Sequence, residues 1–352
     1  MWGTFVEISD ISTAHVEAAA QRQLTLTKPP GSLGYLEEIG NRLCGIFAQV
    51  PPPGLDRVDV AVFAGDHGVV KDGVTPWPQE VTVQMLSNFI AGGAGINAIA
   101  AVVGANVLVV DVGVAADTTL LEGLVQRKQV YGTKSLLHEA AMSLEESFAC
   151  FNVGYEIAIE LIGSGSDLLV TGDMGIGNTT SAAAIISAIT GTPPAEVVGR
   201  GTGIDDEMFA KKIDVVVKAI DRVLQSGCVL SDPFALLSQL GGAEIAAIAG
   251  YIVGAASARR PVLVDGVISL AGALAATLYN PSVSQYLFVG HLSTEPGSAR
   301  AVEYLGVRPI LSLDMRLGEG TGATLAVSVL KAAASVLAEM ATFDQAGVSR
   351  VK

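Results

Sequence analysis

Six short apolar runs constrain this chain more than any other feature. They read VDVAVFAG (58–65), NVLVVDVG (106–113), DLLVTGD (167–173), PVLVDG (261–266), YLFVGH (286–291) and PILSLD (309–314), and each stops at a Gly, an Asp or a Gly-His pair. None alternates apolar with polar. A strand apolar at every position has both faces covered, which is the condition of a parallel sheet packed between helices. Helical patterns fill most of the intervals. One is VTVQMLSNFI (81–90). A second opens at Ser143, with Glu146 completing a capping box, and continues through Ile159. A third begins near Asp205 and repeats apolar residues at Phe209, Ile213, Val216, Val217, Ile220 and Val223, and a fourth spans 243–256. Strands alternating with helices predict an α/β fold: a doubly wound, mostly parallel sheet of about six strands with helices on both faces.

The two ends of the chain differ from this pattern. Leu33, Leu36, Ile39, Leu43 and Ile46 make an amphipathic helix that stops at PPPG (51–54), and 323–340 reads as another helix. A length of 352 residues suits two domains, or one large α/β unit with an appendage. The expectation is an α/β domain over 55–325, with 1–54 and 326–352 joining as a small helical domain.

Charge and composition exclude several classes. The formal net charge is −14, and a duplex nucleic-acid binder needs a basic stripe. An anionic small molecule is still admissible, because backbone N–H groups bind phosphate even on a negative protein. Cys44, Cys150 and Cys228 are far apart and form neither a CxxC nor a Cys/His cluster, so no metal site is expected and a reducing, cytoplasmic setting fits. Residues 1–20 hold no long apolar run of the kind a secretory leader carries. The most apolar stretches, 243–258 and 261–279, are respectively short and broken by Asp265 and Gly266, so no membrane span is expected.

In open α/β sheets ligands bind at the carboxyl ends of the strands. Here those ends read GDHG (65–68), DVG (111–113), GDMGIGNTT (172–180), DG (265–266), GHLSTEPG (290–297) and LDMRLGEGTG (313–322). Any one of them is ordinary turn punctuation, but all of them together place polar and glycine residues along a single edge. GDMGIGNTT spaces Gly172 and Gly177 like a P-loop but has Asn178 in place of the lysine, so it suits a monophosphate better than a triphosphate. Thr179 and Thr180 are expected to cap the Ala-rich helix after it. VLVDG resembles a diphosphate-sugar loop that lacks its second acid. AGGAGINA (91–98) has a GxGxxA spacing but follows a helix, which points to close packing and away from a dinucleotide site. GRGTGIDDE (199–207) opens a helix bearing Lys211 and Lys212. That pair is either a solvated face or the source of one phosphate-binding cation. Glu319, set among Gly318, Gly320 and Gly322, and Asp173 are the candidates for proton transfer, since burial tunes a carboxyl toward neutrality. His67 and His291, also at strand ends, read first as hydrogen-bonded core or rim histidines. No Ser-His-Asp order and no HExxH is present.

Taken as a set, LTKPPGSLG (26–34), GDHGVV (65–70), TPWPQEVTVQM (75–85), GDMGIGNTTSAAA (172–184), GRGTGIDD (199–206), VDGVIS (264–269) and MRLGEGTGA (315–323) resemble the nicotinate-nucleotide–dimethylbenzimidazole phosphoribosyltransferases. The resemblance implies a transfer of the phosphoribosyl group from nicotinate mononucleotide to a benzimidazole-type base, without metal or cofactor. It implies Glu319 as general base, with Asp173 as a second acid where some relatives carry glutamate. It implies that Gly175, Gly177, Asn178, Thr179, Gly203, Lys212 and Ser293 hold phosphate and ribose, Lys212 being preferred over Lys211. It implies that Trp77, Met85 and Met174 face the aromatic base, and that the enzyme is a homodimer. The rival expectations are another nucleotide-dependent glycosyl-transfer enzyme, which would need the paired-acid loop that VLVDG lacks, and a non-catalytic nucleotide-binding protein.

Overall fold

The run at 58–65 forms strand β1 (Val58–Gly65), with every residue buried, as a central strand covered on both faces requires. The computed structural model describes residues 6–201 and 203–349. Residues 1–5 and 350–352 of the expected helical segment, and Thr202 of the 199–207 glycine loop, lie outside them.

In chain order the elements are α1 (Thr13–Gln23), α2 (Tyr35–Phe47), β1, α3 (Glu80–Ile90), α4 (Gly95–Val103), β2 (Ala105–Gly113), β3 (Val125–Gln126), α5 (Leu144–Gly163), β4 (Leu168–Met174), α6 (Asn178–Thr190), α7 (Pro194–Val197), α8 (Asp206–Gln225), α9 (Pro233–Leu240), α10 (Ala243–Ser257), β5 (Val262–Val264), α11 (Val267–Tyr279), β6 (Leu287–Val289), α12 (Pro296–Leu305), α13 (Thr321–Glu339) and α14 (Phe343–Ala346). The sheet is parallel throughout, in the order β3-β2-β1-β4-β5-β6. β1 pairs with β2 from Val58↔Ala105 and with β4 from Val58↔Leu168. The strand order reverses between β1 and β4, and that switch point opens a crevice at their carboxyl ends.

Five of the six expected strands form. The sixth, at 309–314, does not. Its backbone touches the sheet edge only beside β6, where the Ile310 N–H donates to Val289 O (2.9 Å) and a single bridge joins His291 to Leu311. The chain then leaves the sheet to build the loop before α13. The remaining strand is β3, on the opposite edge, and its two residues are too few to leave a sequence pattern.

Helix starts follow the local chemistry. Ser143 accepts from the Glu146 N–H in the expected capping box of α5, and Asp205 caps α8 by accepting from the Met208 N–H. α6 departs from expectation. Its N-cap is Gly177, not a threonine, because the chain enters in a left-handed conformation that only a glycine adopts cheaply. α5 and α10 cross almost in backbone contact: a Cβ added at Gly154 would lie 1.7 Å from Ala247 O, and one at Gly250 1.8 Å from Phe151 O.

The helices near the two chain ends pack against one another. Arg22 Nε of α1 donates to Leu337 O of α13 (2.6 Å), Leu26 bridges Thr342, and Ala19, Cys44 and Leu337 form a small apolar cluster of their own. α13 runs without a break through residue 325 and also buries Ala326, Val327 and Leu330 in the main core. α10 and α11, the stretches with the strongest apolar runs, are buried and shorter than a membrane crossing. Two other stretches have the length and apolarity to cross: Thr321–Glu339, which is α13, and Glu80–Val103, which a turn at 91–94 breaks into α3 and α4.

Candidate active site

At the switch point lies a cavity of about 350 Å³, within the size range of small-molecule sites. Its walls come from the ends of β4 and β6, from α3, and from the loop before α13. Nine of the twelve site residues expected from the sequence line it: Asp173, Met174, Gly175, Asn178 and Thr179 from β4 and the start of α6, Trp77 and Met85 from the α3 region, Ser293 after β6, and Glu319. Gly177 and Lys212 line a smaller adjoining pocket of about 50 Å³, which shares Gly175, Asn178, Thr179 and Gly201 with the first. Gly203 lines neither; its N–H closes a turn onto Arg200 O in the same glycine loop.

Glu319 is where it is because of three consecutive left-handed residues, Gly318 (φ 82°), Glu319 (φ 63°) and Gly320 (φ 89°). Glycine takes this conformation freely, but a glutamate there costs roughly 1–2 kcal/mol. The turn projects the side chain into the cavity wall, where Oε2 accepts the Ile96 N–H at the start of α4 (3.0 Å). Burial pushes the carboxyl above its ordinary range, and nearby Asp265 adds to the rise. The Ile96 and Gly95 amides oppose it. Sequence reasoning missed this role of AGGAGINA. The segment is close packing, as expected, but what packs against it is the glutamate: a Cβ at Gly95 would lie 3.3 Å from Glu319 Oε2.

Asp173 is buried, and its carboxyl is pushed well above the ordinary range by burial first and by the neighbouring Asp265 second. Asn178 Nδ2 donates to its Oδ2 (3.0 Å). Asp265, read from the sequence only as an incomplete diphosphate motif, has a different task. It accepts the Gly320 and Ala323 N–H groups (3.2 and 2.9 Å) and so anchors the turn that carries Glu319 to the start of α13. His291 also lines the cavity and lies 3.4 Å from Asp265, and His67 is buried against Glu244 at 2.6 Å. The first is a rim histidine and the second a core one.

Of the lysine pair, Lys212 points inward. It is 2 % exposed, donates to Thr179 Oγ1 (2.8 Å) and Gly199 O (3.1 Å), and burial lowers its pKa to about 8. Lys211, one residue earlier and about 100° around the helix, is exposed. Two further charged residues line the cavity without having been anticipated, Glu295 and Arg316. Glu295 sits in HLSTEPG and Arg316 in MRLGEGTG, both within the strand-end segments, but only the fold brings them to the cavity, the first buried and the second at its exposed edge.

Fold and cavity together define the class, an α/β protein that receives a nucleotide-sized ligand at the switch point of a doubly wound sheet. The chain belongs to the family of nicotinate-nucleotide–dimethylbenzimidazole phosphoribosyltransferases. A phosphoribosyltransferase family model matches residues 8–348. Nicotinate-nucleotide–dimethylbenzimidazole phosphoribosyltransferases from Salinispora tropica and Chloroflexus aggregans are 48% and 49% identical, each alignment covering 99% of this chain and 98% of the relative. The crystal structure of CobT from Thermus thermophilus is 47% identical, superimposes with a TM-score of 0.91, and covers 96% of this chain and 99% of that one.

Proposed function

We propose that this chain transfers the 5-phosphoribosyl group of nicotinate mononucleotide to 5,6-dimethylbenzimidazole or a related aromatic base, giving α-ribazole 5′-phosphate and nicotinate. The observation that carries this reading is Glu319 on the cavity wall, its carboxylate held by the amides at the start of α4 and placed to receive a proton. The free ring nitrogen of the base attacks the ribose C1′ from the face opposite the pyridinium, which inverts the configuration. The C1′–N bond breaks with its electron pair returning to the pyridine ring, so nicotinate leaves with its ring neutral. The attacking base gains positive charge and loses the proton on its other nitrogen to Glu319. Because the leaving group is already cationic, no added positive ion is required to draw off its electrons.

The remaining residues divide by chemistry. Lys212 and the amide-rich start of α6 suit the phosphate, in the small pocket beside Gly177. Asn178, Thr179 and Ser293 offer hydrogen bonds to phosphate and ribose. Trp77, Met85 and Met174 give the base an apolar wall. Asp173, which accepts a hydrogen bond from Asn178, faces the same space as the second acid. Gly203 acts through the shape of the glycine loop. We further infer a homodimeric, cytoplasmic enzyme, with 55–325 as the α/β domain and 1–54 with 326–352 as the helical one. Light scattering tests the dimer. The decisive experiment incubates the pure protein with nicotinate mononucleotide and dimethylbenzimidazole and separates the products. Stoichiometric α-ribazole phosphate and nicotinate are expected; hydrolysis to ribose phosphate, or no turnover, refutes the proposal.

A further inference from the structure

Glu295 stands at the N-cap of α12, where an acidic side chain would ordinarily turn back to its own helix, and here it makes no such bond. It reaches instead across the cavity to the glycine loop, where Oε1 accepts the Gly201 N–H at 2.9 Å. Its other oxygen fills the space a side chain at 199 would take: a Cβ on Gly199 would lie 2.0 Å from Oε2. Three charged side chains from separate segments thus hold three backbone groups of one loop, within residues 199–201. Lys212 takes Gly199 O, Glu295 takes the Gly201 N–H, and Arg316 takes Gly201 O (3.0 Å). The residue is 7% exposed, and a carboxylate is not left this dry without a function or a partner.

We propose that Glu295 is a positioning residue for the nucleotide phosphate: it clamps the 199–201 loop beside the small pocket and balances the charge of Lys212, which holds the same loop. This rests on the functional reading above. The groups around Lys212 support the assignment. From its own helix, Lys211 turns away, its Nζ 2.7 Å from where a Cβ on Gly73 would stand. α6 presents Thr179, which does not titrate. Arg200, on the glycine loop, is paired with Asp206 at 2.5 Å, and Arg316 is engaged by Gly201 O. Glu295, from α12, is the acid whose charge raises the lysine's pKa against the burial that lowers it. The sign follows. Lys212 binds phosphate when protonated, so affinity falls as pH rises through about 8. Without the carboxylate, that fall begins at lower pH.

The test measures KM for nicotinate mononucleotide from pH 6.5 to 9.5 in the wild type, in E295Q, in K212M and in the double variant. In the wild type KM should climb above pH about 8. In E295Q the climb should begin about one unit lower, the low end of the effect of an adjacent opposite charge, with kcat moving less than KM. In the K212M background E295Q should shift no pH limb, since its partner is gone. Should E295Q lose its fold, E295D keeps the charge and must leave the limb at about pH 8 while raising KM at every pH. An unchanged limb in E295Q, or an equal limb shift in both backgrounds, overturns the proposal. A wild type that releases no nicotinate refutes instead the functional reading on which it rests.

Discussion

Replacing Glu319 by Gln separates chemistry from architecture at this site. The amide oxygen of Gln can still accept the Ile96 N–H, which in the wild type lies 3.0 Å from Oε2, so the turn keeps its anchor. The other atom is then an NH2 facing the N–H of the incoming base, donor against donor. A lost general base costs about 10²–10⁴ in rate, and this added repulsion places the expectation in the upper half, about 10³–10⁴. That is about 4–5.5 kcal/mol of transition-state stabilisation. Stability should move the other way. Burial raises the Glu319 carboxyl above its ordinary value, so between the two values the folded chain keeps a proton that the unfolded chain has released. Folding stability therefore falls as pH rises through that window, and at pH 7 the ionised side chain is a net cost. The neutral variant should melt at the same temperature as the wild type or higher. Nicotinate release followed by chromatography gives the rate, and thermal denaturation at pH 7 gives the stability. The wild-type kcat/KM should also fall on the acid side as Glu319 protonates, and the variant should lack that limb. A rate within tenfold of wild type, or a lost rate accompanied by a lowered melting temperature, would refute the general-base assignment.

Asp173→Asn should raise the melting temperature at pH 7 for the same reason, since burial and neighbouring acids hold this carboxyl well above its ordinary range, and should slow turnover less than Glu319→Gln. Gly250→Ala should lower stability measured by denaturant titration: its Cβ would come within 1.8 Å of Phe151 O, and prying two helices apart costs about 1–3 kcal/mol, more than the roughly 1 kcal/mol that Ala gains over Gly in a helix. Competition among benzimidazole, adenine and dimethylbenzimidazole should give kcat/KM values within a hundredfold, because the Trp77, Met85 and Met174 wall offers shape without hydrogen bonds. A stricter preference would show that some polar group reads the base.

Much of this molecule is local in origin. Runs such as 58–65 and 167–173, whose apolar residues come in unbroken stretches (VAVFA, LLV) without alternation, admit few environments other than the middle of a parallel sheet, and Ser143 and Asp205 start helices through bonds made within one turn. The glycine and acid content of the strand ends marked the functional edge, because a parallel sheet puts all those ends on one side. The two-residue strand β3 and the failed strand at 309–314 were not legible, since pairing at a sheet edge depends on what the neighbouring strand offers. Nor were the roles of Glu295, Arg316, Asp265 and the start of α4. Glu319 and Ile96 are 223 residues apart, and Glu295 and Gly201 are 94 apart. The sequence by itself determined which residues were available and that a parallel sheet would gather them on one edge, because hydrophobic periodicity and turn chemistry act over a few residues. Which carboxylate meets which amide, and which lysine of an adjacent pair turns inward, the tertiary structure alone decided, because such contacts exist only after distant segments have packed and displaced water.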